Sequence, residues 1–326
     1  MPFPRPVRAV LGGALAALLA LGATGCGDGD GARPAAGPEK AELTVGTMPI
    51  AEGAAVQIAI DRGYFRAEGL TVHQKIVAGG AQALPQLKDG GLDIAHCGHV
   101  RAIAAQAGGG YDLRIIAEAS QMTPNMAGVL VARDSPVTSL ADLAGKKIGT
   151  NARGDEASLL LRAALQPYGV RVDEKDIVVA PFPDQEHLLK TGEVDAIVVT
   201  EPFVSEIQEH LGARLISDFS SGPTKDFPMT GYVTTRQFAR RYPRTVAAFQ
   251  RAFVRAQAVA EDRAILQEAL PRFTKLDPQI ISAMNLPAYP TSVSATRLQR
   301  VADIMREFGY IRQKVDVTAM AAPIGP

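Results

Sequence analysis

The chain has 326 residues, 47% of them hydrophobic, and Lys+Arg and Asp+Glu both total 34. That balance leaves no net field to favour nucleic acid or an acidic membrane surface. No basic cluster is interleaved with aromatics, so no nucleic-acid partner is expected. The two cysteines, Cys26 and Cys97, give no disulfide framework, and the fold must rest on its apolar core.

The first element is an apolar run from Ala9 to Ala23, preceded by Arg5 and Arg8 and stopping at Gly25-Cys26. A charged start, a short apolar middle and small residues at the end make an export signal. The run is too short for a membrane span, which needs roughly 20 apolar residues. Ala23-Thr24-Gly25-Cys26 resembles the lipobox at which bacterial lipoproteins are cut and lipidated, with Ala23 standing where Leu or Val is usual. Residues 1–25 are thus expected to be removed, and Cys26 to carry lipid that ties an exported chain to the cell membrane. Residues 26–41, rich in Gly, Asp, Pro and Ala, would form a flexible tether. The alternative is an ordinary signal peptide cut after Ala23 or Gly25.

The remaining chain contains one unit twice. Leu87-Lys88-Asp89-Gly90-Gly91-Leu92-Asp93-Ile94 is echoed by Leu189-Lys190-Thr191-Gly192-Glu193-Val194-Asp195-Ala196 at an offset of 102 residues. Val45-Gly46-Thr47 returns as Ile148-Gly149-Thr150 at 103, and Val77-Ala78 as Val179-Ala180 at 102. In the first unit, Leu43 to Thr47 predicts a strand and Ala55, Val56, Ala59 and Ile60 a helical face that stops at Gly63. Leu70 to Val77 is a second strand, Ala83, Leu84 and Leu87 a short helix, and Asp93 to Cys97 a third strand. In the second unit, Leu159 to Leu165 is helical, while Ile177–Val179 and Ile197–Val199 read as strands buried on both faces.

Strands alternating with helices predict an α/β fold of two lobes, each a mostly parallel sheet flanked by helices. Gly128 to Ala132 is expected to lead into the second lobe and Gly231 to Thr234 to lead out, forming a two-segment hinge. The boundaries expected are 42–130 plus 235–326 for the first lobe and 131–234 for the second. Two C-terminal helical faces, Val246/Phe249/Phe253/Ala256 and Val301/Ile304/Met305/Phe308, should pack back on the first lobe.

A family resemblance rests on an ordered set of motifs. Ala59-Ile60-Asp61-Arg62-Gly63-Tyr64-Phe65-Arg66-Ala67-Glu68-Gly69-Leu70-Thr71-Val72 resembles the "A…GYF…EGL.V" block of extracellular solute-binding proteins. The branch is that of the nitrate, sulfonate, taurine and thiamine-precursor receptors. Gly79-Gly80, Gly90 to Ala95, Ser139 to Gly149, Gly192 to Ala196 and Glu201-Pro202 continue the series in order. The resemblance implies the type II periplasmic-binding-protein fold. It also implies a monomeric, non-enzymatic receptor that closes on a small-molecule solute and delivers it to the permease and ATPase subunits of an ABC importer, with no cofactor. The chain also resembles pyrimidine synthases of thiamine biosynthesis, but it lacks their cysteine-rich motif. An enzyme of that type, or a ligand sensor uncoupled from transport, are the alternatives.

In open α/β sheets ligands bind beyond the carboxyl ends of the strands. Those ends nominate Met48, Pro49, Glu52, Gly79, Gly80, His96 and His99 on one wall. On the other they nominate Thr150, Asn151, Gly154, Asp155, Glu156, Thr200, Glu201 and Pro202. The repeat sets His99 opposite Glu201, which predicts a pair gripping opposite ends of the ligand; Glu201 paired with Arg153 is the alternative. Asp155 and Glu156 either face the cleft, opposing a sulfonate or nitrate, or complement the dipole of their own helix. His96-Cys97-Gly98-His99 has a spacing that could serve a metal. Strand alternation, however, turns His96 and Cys97 to opposite faces, so no metal is expected. No Gly-x-Ser-x-Gly elbow and no phosphate-binding loop of the Gly-x-x-x-x-Gly-Lys-Ser/Thr type occurs.

Overall fold

A computed structural model describes residues 37–323, so the leader and Cys26 lie outside the described residues. The chain first lays down β1 (Glu42–Thr47), α1 (Ala54–Asp61), α2 (Tyr64–Ala67) and β2 (Thr71–Ile76). It continues through α3 (Gly80–Lys88), β3 (Ile94–Gly98), α4 (His99–Ala107) and β4 (Leu113–Gln121). It then crosses to β5 (Ala127–Val131), β6 (Ile148–Thr150), α5 (Glu156–Leu165), β7 (Ile177–Val179) and α6 (Phe182–Thr191). The second lobe ends with β8 (Ala196–Thr200), α7 (Phe203–Leu211) and β9 (Arg214–Asp218). A return crossing leads to β10 (Pro228–Thr235), α8 (Arg236–Arg241), α9 (Pro243–Ala260), α10 (Arg263–Ala269), α11 (Pro278–Ala283) and α12 (Ala295–Glu307).

The strands form two five-stranded sheets of the same design, β2-β1-β3-β10-β4 and β7-β6-β8-β5-β9. In each, the fourth strand runs antiparallel to its neighbours and the first two pairings are parallel. The sequence repeat is this design seen in register. Thr47 pairs with Ile76 and Thr150 with Val179, while Gly46 pairs with Ala95 and Gly149 with Ile197. The repeated aspartate does the same work in both halves: Thr44 N–H donates to Asp93 (3.0 Å) and Lys147 N–H to Asp195 (2.9 Å). Each carboxylate thereby ties the start of the central strand, β3 or β8, to the neighbouring β1 or the start of β6.

Two expectations shift. β5, at residues 127–131, belongs to the second sheet, and β10, at 228–235, to the first. The strand following each crossing joins the sheet it enters, so the crossings lie earlier than expected, at residues 122–126 and 219–227. Each holds a non-glycine residue at positive φ, Asn125 (62°) and Asp226 (51°), residue types that tolerate the left-handed region. The second shift concerns β7. Val178 is partly exposed and Val179 is 46% exposed, because β7 is an edge strand; the central β8 is buried from Ala196 to Val199. A short apolar run cannot reveal its place in the sheet order.

The C-terminal helices pack on the first lobe. The stacked Phe249 and Phe253 of α9 meet Phe65 and Tyr232, and each fully buried aromatic contributes about 1.5–3 kcal/mol. Leu298, Val301, Ile304 and Met305 bury the apolar face of α12. The expected tether is shorter than 26–41. The Glu39 carboxylate accepts from Arg244 and Thr245 N–H at the start of α9, and Lys40 pairs with Asp93. Unpaired helix-terminal N–H groups explain why a carboxylate docks there. Among the described residues no helix is long and apolar enough to cross a membrane.

Candidate functional site: the seam between the lobes

The parallel strands of both sheets end at a common seam, and carboxylates of the second lobe cross it. Glu156, the first residue of α5, accepts a hydrogen bond at Oε1 from Val100 N–H (2.8 Å) in the first turn of α4. The α4 cap residue, Gly98, supplies no side-chain cap, so the Glu156 carboxylate supplies one from the opposite lobe. It sits so close to Gly98 that a Cβ there would lie 2.0 Å from it. Burial first, then the adjacent Asp155, pushes the Glu156 carboxyl up to about 7. Asp155 itself caps its own helix, accepting from Ser158 N–H (3.1 Å) while Ser158 Oγ accepts from Asp155 N–H (3.2 Å). Of the two readings offered for this acid pair, Asp155 takes the capping role and Glu156 reaches across.

Glu201, at the end of β8, makes the second crossing. Its Oε1 accepts from Asn285 N–H (2.8 Å), Asn285 Nδ2 (3.0 Å) and Ser205 Oγ (2.8 Å), and its Oε2 accepts from Ser205 N–H (3.1 Å). Asn285 follows α11, in the C-terminal segment that packs on the first lobe. Burial raises the Glu201 carboxyl above the usual range, while the Asn285 and Ser205 donors oppose the rise. The alternative partner, Arg153, is not used, because it pairs with Glu174; His99, set opposite Glu201 by the repeat, packs against Gly231. Pro202, joined to Glu201 by a cis peptide, begins α7. Nothing in the sequence marks Asn285 or Ser205 as partners, because a lone Asn 84 residues downstream carries no spacing signal.

On the first lobe, His96 spends both ring nitrogens. Met48 N–H donates to Nδ1 (3.3 Å), so the proton sits on Nε2, which donates to Thr230 Oγ1 (2.9 Å); Thr230 in turn meets Ser120 Oγ (2.9 Å). The ring stacks on Tyr232, centroids 4.7 Å apart. Burial, then the neighbouring His99, holds His96 down to about 3, so it is a neutral structural relay. His99 is fully buried, burial holds it also to about 3, and both its ring nitrogens lack a partner. Cys97 turns the other way, as strand alternation requires. It packs under Gly80, where a Cβ would lie 2.4 Å from Sγ, and burial pushes its thiol far up. Among the described residues no three His, Cys, Asp or Glu side chains converge as metal ligands would.

Glu52 lies in the turn after β1 and is 2% exposed. Burial first, and the Glu201 charge after it, pushes its carboxyl up to about 7, and only its own backbone N–H offsets the cost. Around it, the Thr47 and Tyr232 hydroxyls neighbour each other, yet neither reaches a partner in hydrogen-bonding geometry. Tyr289 donates its hydroxyl to Ala51 carbonyl (3.2 Å), fixing the same turn.

The other nominated residues spread along the seam. Pro49 is partly buried beside Met48, and Gly79 opens α3 with free space where a Cβ would stand. Thr150 Oγ1 reaches Ala152 carbonyl (3.4 Å), Thr200 Oγ1 reaches Met126 carbonyl (3.1 Å), and Asn151 Oδ1 is buried without a partner. Gly154, at φ 67°, lines an open crevice of about 330 Å³ between Arg153 and Arg162 of the second lobe and Ala104 and Tyr310 of the first. There Tyr310 donates to Ser158 Oγ (2.9 Å), a third contact across the seam.

Two lobes of one design, joined by two crossings and closed along their strand ends, define the periplasmic-binding-protein fold. The chain belongs to the NMT1-like family, whose profile matches residues 36–272. It is similar to an Escherichia coli (strain K12) protein named for binding aliphatic sulfonates, 27% identical over 247 residues that cover 73% of this chain and 75% of that one. Among solved structures it is similar to the alkanesulfonate-binding protein SsuA of Xanthomonas axonopodis pv. citri bound to MOPS. The TM-score is 0.72 at 22% identity, over 87% of this chain and 99% of that one. It is also similar to the periplasmic nitrate-binding protein NrtA of Synechocystis PCC 6803, with a TM-score of 0.70 at 16% identity over 87% of this chain and 86% of that one. These relatives carry the names of solute-binding proteins, not of enzymes.

Proposed function

We propose that this chain is the solute-binding component of an ABC importer, capturing a small organic solute between its lobes and delivering it to a membrane permease. The observation that carries the reading is the seam itself. Two similar lobes meet there through hydrogen bonds such as Val100 to Glu156, Asn285 to Glu201 and Tyr310 to Ser158 beside apolar packing, an arrangement that can open and reclose about two short crossings. Family membership and the names of the relatives support the same role. Closure would surround the solute and exclude water, as interdomain pockets do. The export signal and the lipobox-like Cys26 support placement outside the cytoplasm on a lipid anchor, with residues 27–36 as the tether.

The test is a thermal-shift panel on the purified chain with sulfonates, nitrate, taurine, pyrimidines, amines and divalent metals. A solute at 100 times its Kd should add about 2.7 kcal/mol of stability. A panel without any shift contradicts the receptor reading. Loss of membrane association in Cys26→Ser tests the anchor; unchanged association contradicts it.

A further inference from the structure

The acids along the seam are of two kinds, and the difference bears on what the receptor accepts. Glu156 and Glu201 are partnered, each by backbone N–H groups of the opposite lobe or the segment packed on it. Glu52 is buried and draws no hydrogen bond from any residue but itself. A buried carboxylate without a donor costs several kcal/mol, so such a group is retained where something else supplies the donor. Beside it, two buried hydroxyls, Thr47 Oγ1 and Tyr232 OH, are likewise unpartnered. These hydroxyls are independent of the acids, and both can accept a hydrogen bond.

The anion seat at the start of α4 is already filled. The free N–H groups at a helix start are the ready-made seat for a sulfonate, nitrate or carboxylate. At α4 that seat holds the Glu156 carboxylate, pressed against Gly98. The two histidines nearby are neutral, Arg101 faces the Asp155 and Glu156 charges, and Arg297, in range of His99, is paired with the Glu118 carboxylate (3.0 Å).

We propose that the interlobe site takes a solute bearing an ammonium or amidinium group, seated on the Glu52 carboxylate with Thr47 and Tyr232 as further acceptors. It disfavours sulfonate and nitrate, since the Glu52 carboxylate repels an anion and Glu156 occupies the anion seat at α4. The proposal rests on the receptor reading and names its substrate class. A cation on Glu52 supplies the missing donors and offsets the repulsion from Glu201. Binding then releases a proton from the fraction of Glu52 that is protonated near neutral pH.

The experiment is calorimetric titration of the purified full chain at pH 7 with butylammonium, 1,4-butanediammonium and benzamidinium, and with butanesulfonate and nitrate as matched anions. At least one cation should bind, with an enthalpy that varies with buffer ionisation as proton release requires. Glu52→Gln should weaken that cation at least tenfold, and Glu156→Ala, which vacates the α4 terminus, should create butanesulfonate binding. The buffer dependence is read on the unaltered chain, so a variant that fails to fold does not remove the test. Butanesulfonate or nitrate binding without any cation binding overturns the proposal and leaves the receptor reading standing. Cation affinity within twofold of normal in Glu52→Gln, or no binding of any cation, overturns it as well; the broader panel then judges the receptor reading separately.

Discussion

The two lobes share a sheet order to the strand, yet they present opposite kinds of chemistry to the seam. The second lobe contributes carboxylates whose acceptors are satisfied by first-lobe amides: Glu156 on Val100 and Glu201 on Asn285. The first lobe contributes groups left wanting partners: Glu52, the Thr47 and Tyr232 hydroxyls, and the ring of His99. Equivalent positions in the fold therefore divide the labour. One wall holds the lobes together, and the other wall is arranged to hold something else.

Removing the strongest second-lobe contact should give the largest mutational effect. Glu201→Ala strands the half-buried Asn285 amide and Ser205 hydroxyl, and should cost about 2 kcal/mol in urea unfolding. A loss below about 0.5 kcal/mol would mean the latch contributes nothing. The pH dependence comes next. Glu52 moves from 4.5 to about 7, so its share of stability is complete below pH 4.5 and disappears as pH rises through 7. A shift of that size corresponds to about 3 kcal/mol. His96 and His99 move from 6.5 to about 3, so their share is complete above pH 6.5 and disappears as pH falls through 3. Stability should therefore decline on both sides of mildly acidic pH. Glu52→Gln should flatten part of the alkaline limb, Glu156 retaining the rest. An alkaline limb unchanged in that variant would contradict the burial of Glu52.

A smaller effect separates the starts of α3 and α4. Gly98→Ala drives a methyl into the Glu156 carboxylate and should cost about 1–2 kcal/mol by parting it from Val100. Gly79→Ala meets nothing within 4 Å and should stay within about 0.5 kcal/mol, measured by the same melt. Equal effects would remove the case that Glu156 is seated at α4. Smallest of all, Asn125→Gly and Asp226→Gly relieve positive φ in the crossings and should change stability by about 1 kcal/mol or less while making the hinge looser.

Much of this plan was legible in the residues. The repeat at 102–103 residues predicted two sheets in matching register because short buried strands demand the same apolar spacing twice. The capping role of Asp155 was legible as one of two readings, because an acid at a helix start is favoured by its free N–H groups. What escaped were features set by sheet order and by distant chain. Val179 looks like Val199 until β7 is known to be an edge, and β5 and β10 change lobes because pairing, not sequence, assigns a strand. The partner of Glu201 comes from a segment with no motif, and His99 packs between α4 and β10 against Gly231. The glycine at 80 serves Cys97, a packing demand that no local pattern announces.

The most direct measurement is amide hydrogen exchange at Val100 and Asn285 in the purified chain, with and without a saturating solute found by thermal shift. If the solute is captured by closing the seam, both amides, one on each crossing carboxylate, should exchange at least tenfold more slowly in its presence. Saturation that leaves both rates unchanged would place the solute elsewhere and contradict capture between the lobes.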